Sequence, residues 1–290
     1  MSIESEITRI NNNIAATYTA LSAKGATMPE TENSANLAST VATVPSGGEG
    51  DPINKVFVVN EGVLNKPTAA FSDNTFAGVT SVGDNGLEYA FYDCKNLTGS
   101  VSFPNLTTVG EKGLYYAFDG CTGLTGSVSF PELTTVGSDG LKFAFTSCTG
   151  LTTISFPKLN TVNYQGLNGT FSACTGLIGS ISFPELTTIG TSGLHYAFNE
   201  CIKLTEIHFP NLTLIGVLGL DSAFTKCTGL TTISFPKLNT VGTNGLDNAF
   251  SNCTNLTEIH FPAAIQSTVE ALSGYASKWG ATNATIYFDL

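Results

Sequence analysis

Hydrophobic and polar residues recur with a period of about 26 residues through most of the chain. The unit reads FPxLTTVGxxGLxxAFxxCTxLTxIS, and the intervals between successive cysteines are 27, 27, 26, 27, 26 and 26 positions. From Phe103 onward, the proline of a Phe-Pro pair lies 17 positions before the next cysteine. Such a period is typical of a solenoid, in which each short unit buries its apolar face against its neighbours.

Each unit predicts the same succession of elements. The segment LTTISF predicts a short strand, because Ile154 and Phe156 lie on one face and Ser155 lies on the other. The segment LNTV after the proline predicts a second extended piece. In the following segment GLxxAFxxC, Ala, Phe and Cys follow the leucine at offsets of 3, 4 and 7, with Thr170 in place of Ala after Leu167, which predicts about two turns of helix. The longer units have one extra residue between the cysteine and Phe-Pro, where LTGSVSFP or LIGSISFP replaces LTTISFP. This extra residue indicates a bulge or a longer turn.

The repeated motif LTxIxFP…TxVG…AFxxCxxL resembles the BspA-like (Treponema-type) leucine-rich repeat, whose pattern runs LxxIxIP…TxIGxxAFxxC. The resemblance extends over residues 76–262 and begins with a degenerate unit, in which Phe76-Ala77 replaces Phe-Pro. Here Phe replaces the usual aliphatic residue before proline, and extra residues lengthen the helical side. The resemblance implies an α/β repeat solenoid with one rung per unit of about 26 residues. Proteins with this repeat bind host matrix proteins or other microbes, so the resemblance also implies a binding function.

The N-terminal residues 1–44 predict a helical segment for attachment or oligomerisation. Isoleucines dominate the a and d positions of its first heptads, which favours trimers or tetramers over dimers; they are Ile3, Ile7, Ile10 and Ile14, followed by Leu21. A homotrimer is therefore expected, and the alternative is a helix that docks on some other surface. A second short helix is predicted over residues 33–44.

The segment ALSAKGATMPETENSANLASTVATV, residues 20–44, is similar to a module near the N-termini of phage and prophage tail proteins of Gram-positive bacteria. In that module, hydrophobic residues correspond to Leu21, Met28, Leu37, Val41 and Val44. The resemblance implies a virion attachment segment that contacts other virion proteins.

The remaining boundaries follow from composition and from the limits of the repeat. Residues 45–52, PSGGEGDP, predict a flexible linker. Residues 53–75 are expected to cap the first rung, and residues 263–290 are expected to cap the last one. The second cap is predicted to contain an amphipathic helix over residues 265–279 and a strand over residues 284–290. Caps are expected because an open solenoid end exposes apolar surface and unpaired backbone groups.

The acidic composition of the chain excludes some classes of binding partner. The chain has 290 residues, a net charge of -11, and 12 Lys and Arg against 23 Asp and Glu. Nucleic acid and anionic membranes need clustered basic residues, so neither is expected as a partner. The start MSIESEITRI does not resemble a Sec signal peptide, and no apolar run predicts membrane insertion. We expect a virion or extracellular-surface protein that is made in the cytoplasm.

The seven cysteines invite three chemical interpretations. Disulfides would leave one cysteine over, and equivalent positions of stacked rungs point in parallel directions. No CxxC pair or nearby histidine indicates a metal site, and a catalytic thiol would be unique. We favour buried free thiols that serve as small hydrophobic groups. They are Cys94, Cys121, Cys148, Cys174, Cys201, Cys227 and Cys253.

Binding residues are expected where the repeat is broken on the solvent side. Five rungs carry only Ser or Thr at the two outward strand positions, whereas LTEIHFP occurs twice and carries Glu-x-His. Glu206 and His208 share one strand face, and so do Glu258 and His260 two rungs later. We predict that these four residues bind a ligand. A metal site is an alternative, but the rung between the two pairs carries Thr232 and Ser234 at these positions.

A second candidate site is an aromatic column on the predicted helical side, formed by Tyr89, Tyr116, Phe143 and Tyr196. Aromatic rings stack on sugars or pack into a protein partner, and the alternative is that they shield the core between rungs. The sequence contains none of the motifs GxSxG, HExxH or the P-loop, and its carboxylates are scattered. We therefore expect no catalytic residues, no metal and no cofactor.

These observations predict a non-enzymatic binding protein. The leading hypothesis is a phage or prophage tail-associated protein that presents its solenoid to a protein or glycan on a host cell. One alternative is a bacterial BspA-like surface adhesin. A further alternative is a structural virion decoration protein without a receptor.

Overall fold

The computed structural model describes residues 76–272 and 279–290, together with strand residues 59–60, 63–64 and 70–71. The chain divides into two units, Met1–Ala69 and Ala70–Leu290. In the first unit, Val59–Asn60 pairs antiparallel with Val63–Leu64. The second unit contains the repeats.

Several predictions lie outside the described residues. They include the N-terminal helices of residues 1–44, the expected homotrimer, the attachment segment and the linker 45–52. Most of the predicted first cap, residues 53–75, also lies outside them. These statements therefore stay predictions.

The described residues contain short strands throughout the repeat region. In chain order they are β1 (Val59–Asn60), β2 (Val63–Leu64), β3 (Ala70–Phe71), β4 (Ser81–Val82), β5 (Thr98–Ser102), β6 (Thr108–Val109), β7 (Leu124–Ser129), β8 (Thr135–Val136), β9 (Leu151–Ser155), β10 (Thr161–Val162), β11 (Gly179–Ser182), β12 (Thr188–Ile189), β13 (Leu204–His208), β14 (Leu214–Ile215), β15 (Thr232–Ser234), β16 (Thr240–Val241), β17 (Glu258–Phe261) and β18 (Thr285–Phe288).

From β3 onward, these strands form two parallel stacks, as a solenoid requires. The longer strands form what we call the strand face, with the orders β3-β5-β7-β9 and β11-β13-β15-β17-β18. The two-residue strands form a second stack with the order β4-β6-β8-β10-β12-β14-β16. Each sequence unit thus adds one rung of about 26 residues, and the predicted repeat solenoid is confirmed.

Two columns of stacked phenylalanines fill the core. One column belongs to the Phe-Pro positions, where Phe103 and Phe130 have ring centroids 5.2 Å apart. The other belongs to the AFxxC positions, where Phe118 and Phe145 are 5.0 Å apart. Each stacked pair adds about 0.5–1.5 kcal/mol to the free energy of burial. Phe76 stacks on Phe103 at 4.2 Å, so the degenerate first unit fills the same position in the core.

The prediction of a helix in each unit is wrong. Between the short strand and the cysteine, N–H groups alternate between two acceptors. Ala90 donates to the carbonyl of Leu87 three residues earlier, whereas Tyr89 donates to Tyr115 in the next rung. Every fourth residue has a positive φ, which an α-helix excludes; examples are Asn85 at 56° and Asp93 at 56°. We call these segments, from rung to rung, the turn face.

Rung spacing explains why turns replace the helix. Parallel strands lie about 4.8 Å apart, whereas packed helices need about 8–10 Å between their axes. A left-handed residue at every fourth position keeps the backbone flat and directs alternate N–H groups at the neighbouring rung. It also returns Leu167, Phe171 and Cys174 to the core, at offsets that match a helical face. The hydrophobic pattern alone therefore does not distinguish the two structures.

The extra residue of the longer rungs is a glycine in the strand face. Gly99, Gly126 and Gly179 have φ values of 88°, 111° and 73°, a region that favours glycine. The register of the parallel ladder shifts next to each of them. The predicted bulge in the longer rungs is thereby confirmed.

A short cap follows the last rung. A 3-10 turn at Ala263–Ile265 leads into helix α1, Gln266–Glu270. The predicted helix covered residues 265–279, of which 273–278 lie outside the described residues; the described helix ends at Glu270. Strand β18 pairs parallel with β17, and Phe288 stacks on Phe261 at 5.9 Å. The cap thus extends the phenylalanine column by one more ring.

The described residues include no helix of the length and apolarity that a membrane span requires.

Candidate functional site

The cysteines form a buried column and are free thiols. Each sulfur from Cys121 onward donates a hydrogen bond to the carbonyl of a phenylalanine 29 or 30 residues earlier; Cys148, for example, lies 3.1 Å from the oxygen of Phe118. Burial raises the pKa of Cys253 to about 12 and that of Cys174 still further. Because the thiolate is the reactive form, these cysteines are structural, as expected.

The outward positions of the strand face form two columns of mostly small hydroxyl side chains. In the middle rungs, Thr153, Ser155, Ser180 and Ser182 are exposed, whereas Ser102 at the N-terminal end is only 8% exposed. From β9 to β17 these positions are exposed or partly exposed, and most of them carry short side chains. Larger or charged residues in these columns stand out against that background.

The two Glu-His pairs lie on this face, as predicted. Nε2 of His208 lies 3.1 Å from a carboxylate oxygen of Glu206, and Nε2 of His260 lies 3.4 Å from Glu258. Through the parallel register, both glutamates align with Thr232, and both histidines align with Ser234. One rung separates the pairs, so they lie about 10 Å apart on one surface.

Strand β18 and the residue that follows it add two side chains that were not predicted from the sequence. Tyr287 of β18 stacks on His260, with ring centroids 4.9 Å apart, and a carboxylate oxygen of Asp289 lies 2.9 Å from His260 Nδ1. Hydrogen bonding to Asp289, and secondarily to Glu258, raises the pKa of His260. The alternation in TIYFD was the available signal, since it places Tyr287 in the histidine column. Together, Glu206, His208, Glu258, His260, Tyr287 and Asp289 form what we call the strand-face patch.

The two histidines of this patch differ in environment. The His208 side chain is 48% exposed, whereas the His260 side chain is 19% exposed, because Tyr287 covers it. Among the described residues, no group of three or more His, Cys, Asp and Glu side chains is arranged to hold a metal ion.

Three members of the predicted aromatic column come together on the turn face. Tyr89 and Tyr116 stack at 5.1 Å with nearly parallel rings, and Phe143 lies 4.8 Å from Tyr116 at a tilt of 31°. The column ends there because the ring of Phe143 leans over Gly169 in the next rung. Tyr196 lies beyond this break and contacts His195 instead, at 4.2 Å.

Two further tyrosines enlarge this group; they were not predicted, because they occupy other positions of the repeat unit than the column of Tyr89 and Tyr116. Tyr92 packs edge-on against Tyr89 at 5.7 Å, and Tyr115 packs edge-on against Tyr116 at 4.5 Å. We call Tyr89, Tyr92, Tyr115, Tyr116 and Phe143 the aromatic cluster. Desolvation and the neighbouring Tyr115 raise the pKa of Tyr116 to about 12, so its hydroxyl stays protonated near neutral pH.

Comparisons with known proteins agree with this architecture. A solenoid of parallel short strands with a leucine, phenylalanine and cysteine core defines a leucine-rich-repeat protein. The BspA type leucine rich repeat family matches residues 86–216 and 168–274, with six copies. These matches span more than half of the chain, which therefore belongs to this family.

Solved structures show weaker similarity. The Treponema pallidum leucine-rich repeat protein is 24% identical, with 70% of this chain and 81% of that one covered and a TM-score of 0.44. A leucine-rich cell surface protein of Faecalibacterium prausnitzii is 17% identical, with coverages of 81% and 86% and a TM-score of 0.27. The TLR13–ssRNA13 complex is 16% identical; 75% of this chain and 27% of that one are covered, with a TM-score of 0.36. No curated protein is significantly similar in sequence.

Proposed function

We propose that this protein is a non-enzymatic surface adhesin that binds a protein on a cell or in its matrix through the strand face. Family membership supports a binding role, because leucine-rich repeat proteins of this kind are typically binding proteins without catalytic activity. The observation that carries the proposal is the strand-face patch, where charged and aromatic side chains interrupt an otherwise uniform hydroxyl surface.

The geometry of the patch suits a protein partner. The two columns consist mostly of Ser and Thr, whose short side chains lose little rotamer entropy when a partner covers them. The Glu206–His208 pair is about half exposed on each side chain, so a partner reaches it without a prior conformational change. Tyr287 is 37% exposed and offers the kind of amphipathic ring that is enriched at protein interfaces. The charged pairs would supply specificity, since opposite charges on a partner are needed to replace their solvation.

A binding experiment with the full chain tests the proposal. In the variant Glu206→Thr/His208→Ser, the pair is replaced by the residues that the chain itself uses at Thr232 and Ser234. We expect at least a tenfold loss of binding to whole cells or to immobilised matrix proteins, with an unchanged melting temperature. Adding Glu258→Thr and His260→Ser should deepen the loss.

A matched control separates the patch from general effects of surface charge. Glu200 and Lys226 form an ion pair on the turn face, and Asn252 occupies the same position in the last rung. The variant Glu200→Asn/Lys226→Asn should keep full binding. If the strand-face variants bind as well as the wild type, the strand face is not the binding surface.

A further inference from the structure

Aromatic and acidic residues are concentrated together on the first part of the turn face. The first three turn segments, residues 84–93, 111–120 and 138–147, contain all five members of the aromatic cluster. They also contain six carboxylates and two lysines. The fourth segment, residues 164–173, has no charged residue and carries Gly169 where the aromatic column would continue. Packing of the core does not require aromatic and acidic residues to occur together on the turn face, because the later rungs stack equally well without them.

The rings of the cluster already have a cation near their faces. Nζ of Lys142 lies 5.8 Å from the ring centroid of Tyr115 and 6.0 Å from that of Phe143, within the range of cation–π attraction. Lys142 is held there by Asp139, at 2.9 Å. At the opposite end of the cluster, the Tyr92 side chain is 49% exposed.

Asp119 occupies, one rung later, the position that Tyr92 has in its own rung, so it belongs to the same column as that exposed ring. Burial, with a further contribution from the charge of Asp93, raises the pKa of Asp119 to about 6. The N–H of Asp119 donates to the carbonyl of Tyr116 at 3.4 Å, so Asp119 belongs to the same turn as that ring of the cluster. Lys95 contacts Asp93 at 3.2 Å but is largely solvent-exposed. A second cation next to Asp119 would relieve the repulsion between the two carboxylates.

We propose that the aromatic cluster and Asp119 form a second binding surface, which takes an arginine side chain from a basic segment of a protein partner. A guanidinium stacks on aromatic rings and at the same time donates hydrogen bonds to a carboxylate, a combination that an ammonium matches less well. The rings contact one another and form a surface without a cage between them. A side chain anchored on a larger partner therefore fits better than a free small cation. This inference goes beyond the strand-face proposal, because it concerns another face of each rung.

Calorimetric titration of the full chain with tetra-arginine amide at about 150 mM salt, where surface charges are screened as in physiological solution, tests the inference. We expect binding that tetra-glycine amide does not show and that tetra-lysine amide shows at least threefold more weakly. Tyr92→Thr/Tyr116→Asn should weaken arginine binding at least fivefold. Both replacements occur naturally in equivalent positions, at Thr146 and at Asn248, whose φ of 50° matches that of Tyr116. Asp119→Asn, which copies Asn199, should also weaken binding.

Two controls make the result specific. Tyr164 is also 49% exposed on the turn face but lies outside the cluster, so Tyr164→Thr should bind tetra-arginine amide like the wild type. Glu206→Thr/His208→Ser should do the same, which separates this site from the strand-face patch. Equal affinity for arginine and lysine peptides, or equal loss in Tyr164→Thr, would overturn the inference. Binding of a neutral oligosaccharide that Tyr92→Thr abolishes would overturn it in favour of a sugar site.

Discussion

Left-handed backbone conformations recur at every fourth residue of the turn face, and residues other than glycine occupy most of them. A non-glycine residue in this region costs about 1–2 kcal/mol of conformational energy. Tyr89, Tyr116 and Phe143 all have this conformation, with φ between 51° and 55°. Hydrogen bonds between rungs hold them in place, because each of the three donates its N–H to the next rung. The aromatic cluster is therefore fixed by the backbone.

Gly169 is one of these left-handed positions, and its surroundings leave no room for a side chain. Its φ is 60°, and the Phe143 ring occupies the space that a Cβ atom would need. We expect Gly169→Ala to lower the free energy of unfolding by about 1–3 kcal/mol, since strain in the left-handed region adds to the steric conflict. Urea denaturation measures this loss. A Cβ atom added at Gly83 would meet no other atom within 4 Å, so Gly83→Ala should change stability by less than about 0.5 kcal/mol. Equal losses would contradict the steric explanation.

Asp119 predicts a pH dependence of stability. Its pKa is raised from 3.8 to about 6 in the folded protein, so the ionised form is disfavoured there and stability falls as the pH rises through this interval. Asp119→Asn removes that charge. We expect the variant to be more stable than the wild type at pH 7.5 by about 1 kcal/mol, a value reduced for solvent screening. The difference should shrink toward pH 4. Thermal denaturation at both pH values checks this, and a difference independent of pH would refute it.

At the scale of elements, the cap strand β18 is held partly by an ionisable pair. His260 of β17 hydrogen-bonds to Asp289, which directly follows β18. The raised pKa of His260 means that protonation stabilises this contact. The stabilisation is fully present below the ordinary histidine pKa of about 6.5 and is lost as the pH rises through the raised value. The cap should therefore dock more firmly in mildly acidic solution.

Amide hydrogen exchange measures this effect. The N–H of Leu290 donates to the carbonyl of Phe261 and reports on docking of the cap. We expect its protection factor, corrected for intrinsic exchange, to fall between pH 6 and pH 8.5 in the wild type and to change little in Asp289→Asn. The N–H of Gly190, bonded to Val162 in the second strand stack, serves as an internal reference. A fall of the same size in Asp289→Asn would show that the pair does not control docking.

The sequence predicted those elements whose side chains point inward. Phe156, Ile154 and Cys148 repeat because the core has the same shape in every rung, so period and spacing were sufficient. A series of turns and a helix would both direct the same residues of each unit into the core. The choice between them depends on hydrogen bonds between rungs, whose partners are distant in sequence. Tyr287 and Asp289 were not predicted because the cap matches the repeat only in its strand alternation. The four Glu and His residues were placed correctly on one face, since strand register alone decides that position.

At the scale of the whole molecule, the solenoid is a series of nearly interchangeable rungs. The segment CTGLTTISFPKLNTV occurs at residues 148–162 and again at 227–241. Deletion of residues 149–227 would therefore join two identical local sequences and remove three rungs without a new junction in the sequence. Between rungs it makes one new contact, because Asn248 takes the place of Gly169 beside Phe143. Nearest-neighbour contacts dominate the stability of such an array. We expect the shortened chain to fold and to unfold cooperatively.

The shortened chain allows a quantitative check. Because the denaturant m-value follows the surface exposed on unfolding, it should fall by about a third relative to the wild type. The deletion removes Glu206 and His208 but keeps Glu258, His260 and the aromatic cluster. Strand-face binding should therefore weaken, whereas arginine-peptide binding should persist. Failure to fold would show that the rungs are not interchangeable.

The cysteine column also equips every rung with its own chemical reporter of local opening. A thiol whose hydrogen is donated to a carbonyl inside the core is shielded from alkylating reagents and oxidants until its rung separates from its neighbours. Labelling therefore records which rungs open and in what order, without any engineered probe. Cys94 and Cys253, the least completely buried of the seven, lie at the two ends of the column. Opening that begins at the ends would modify them before Cys174, so the modification pattern distinguishes fraying from all-or-none unfolding.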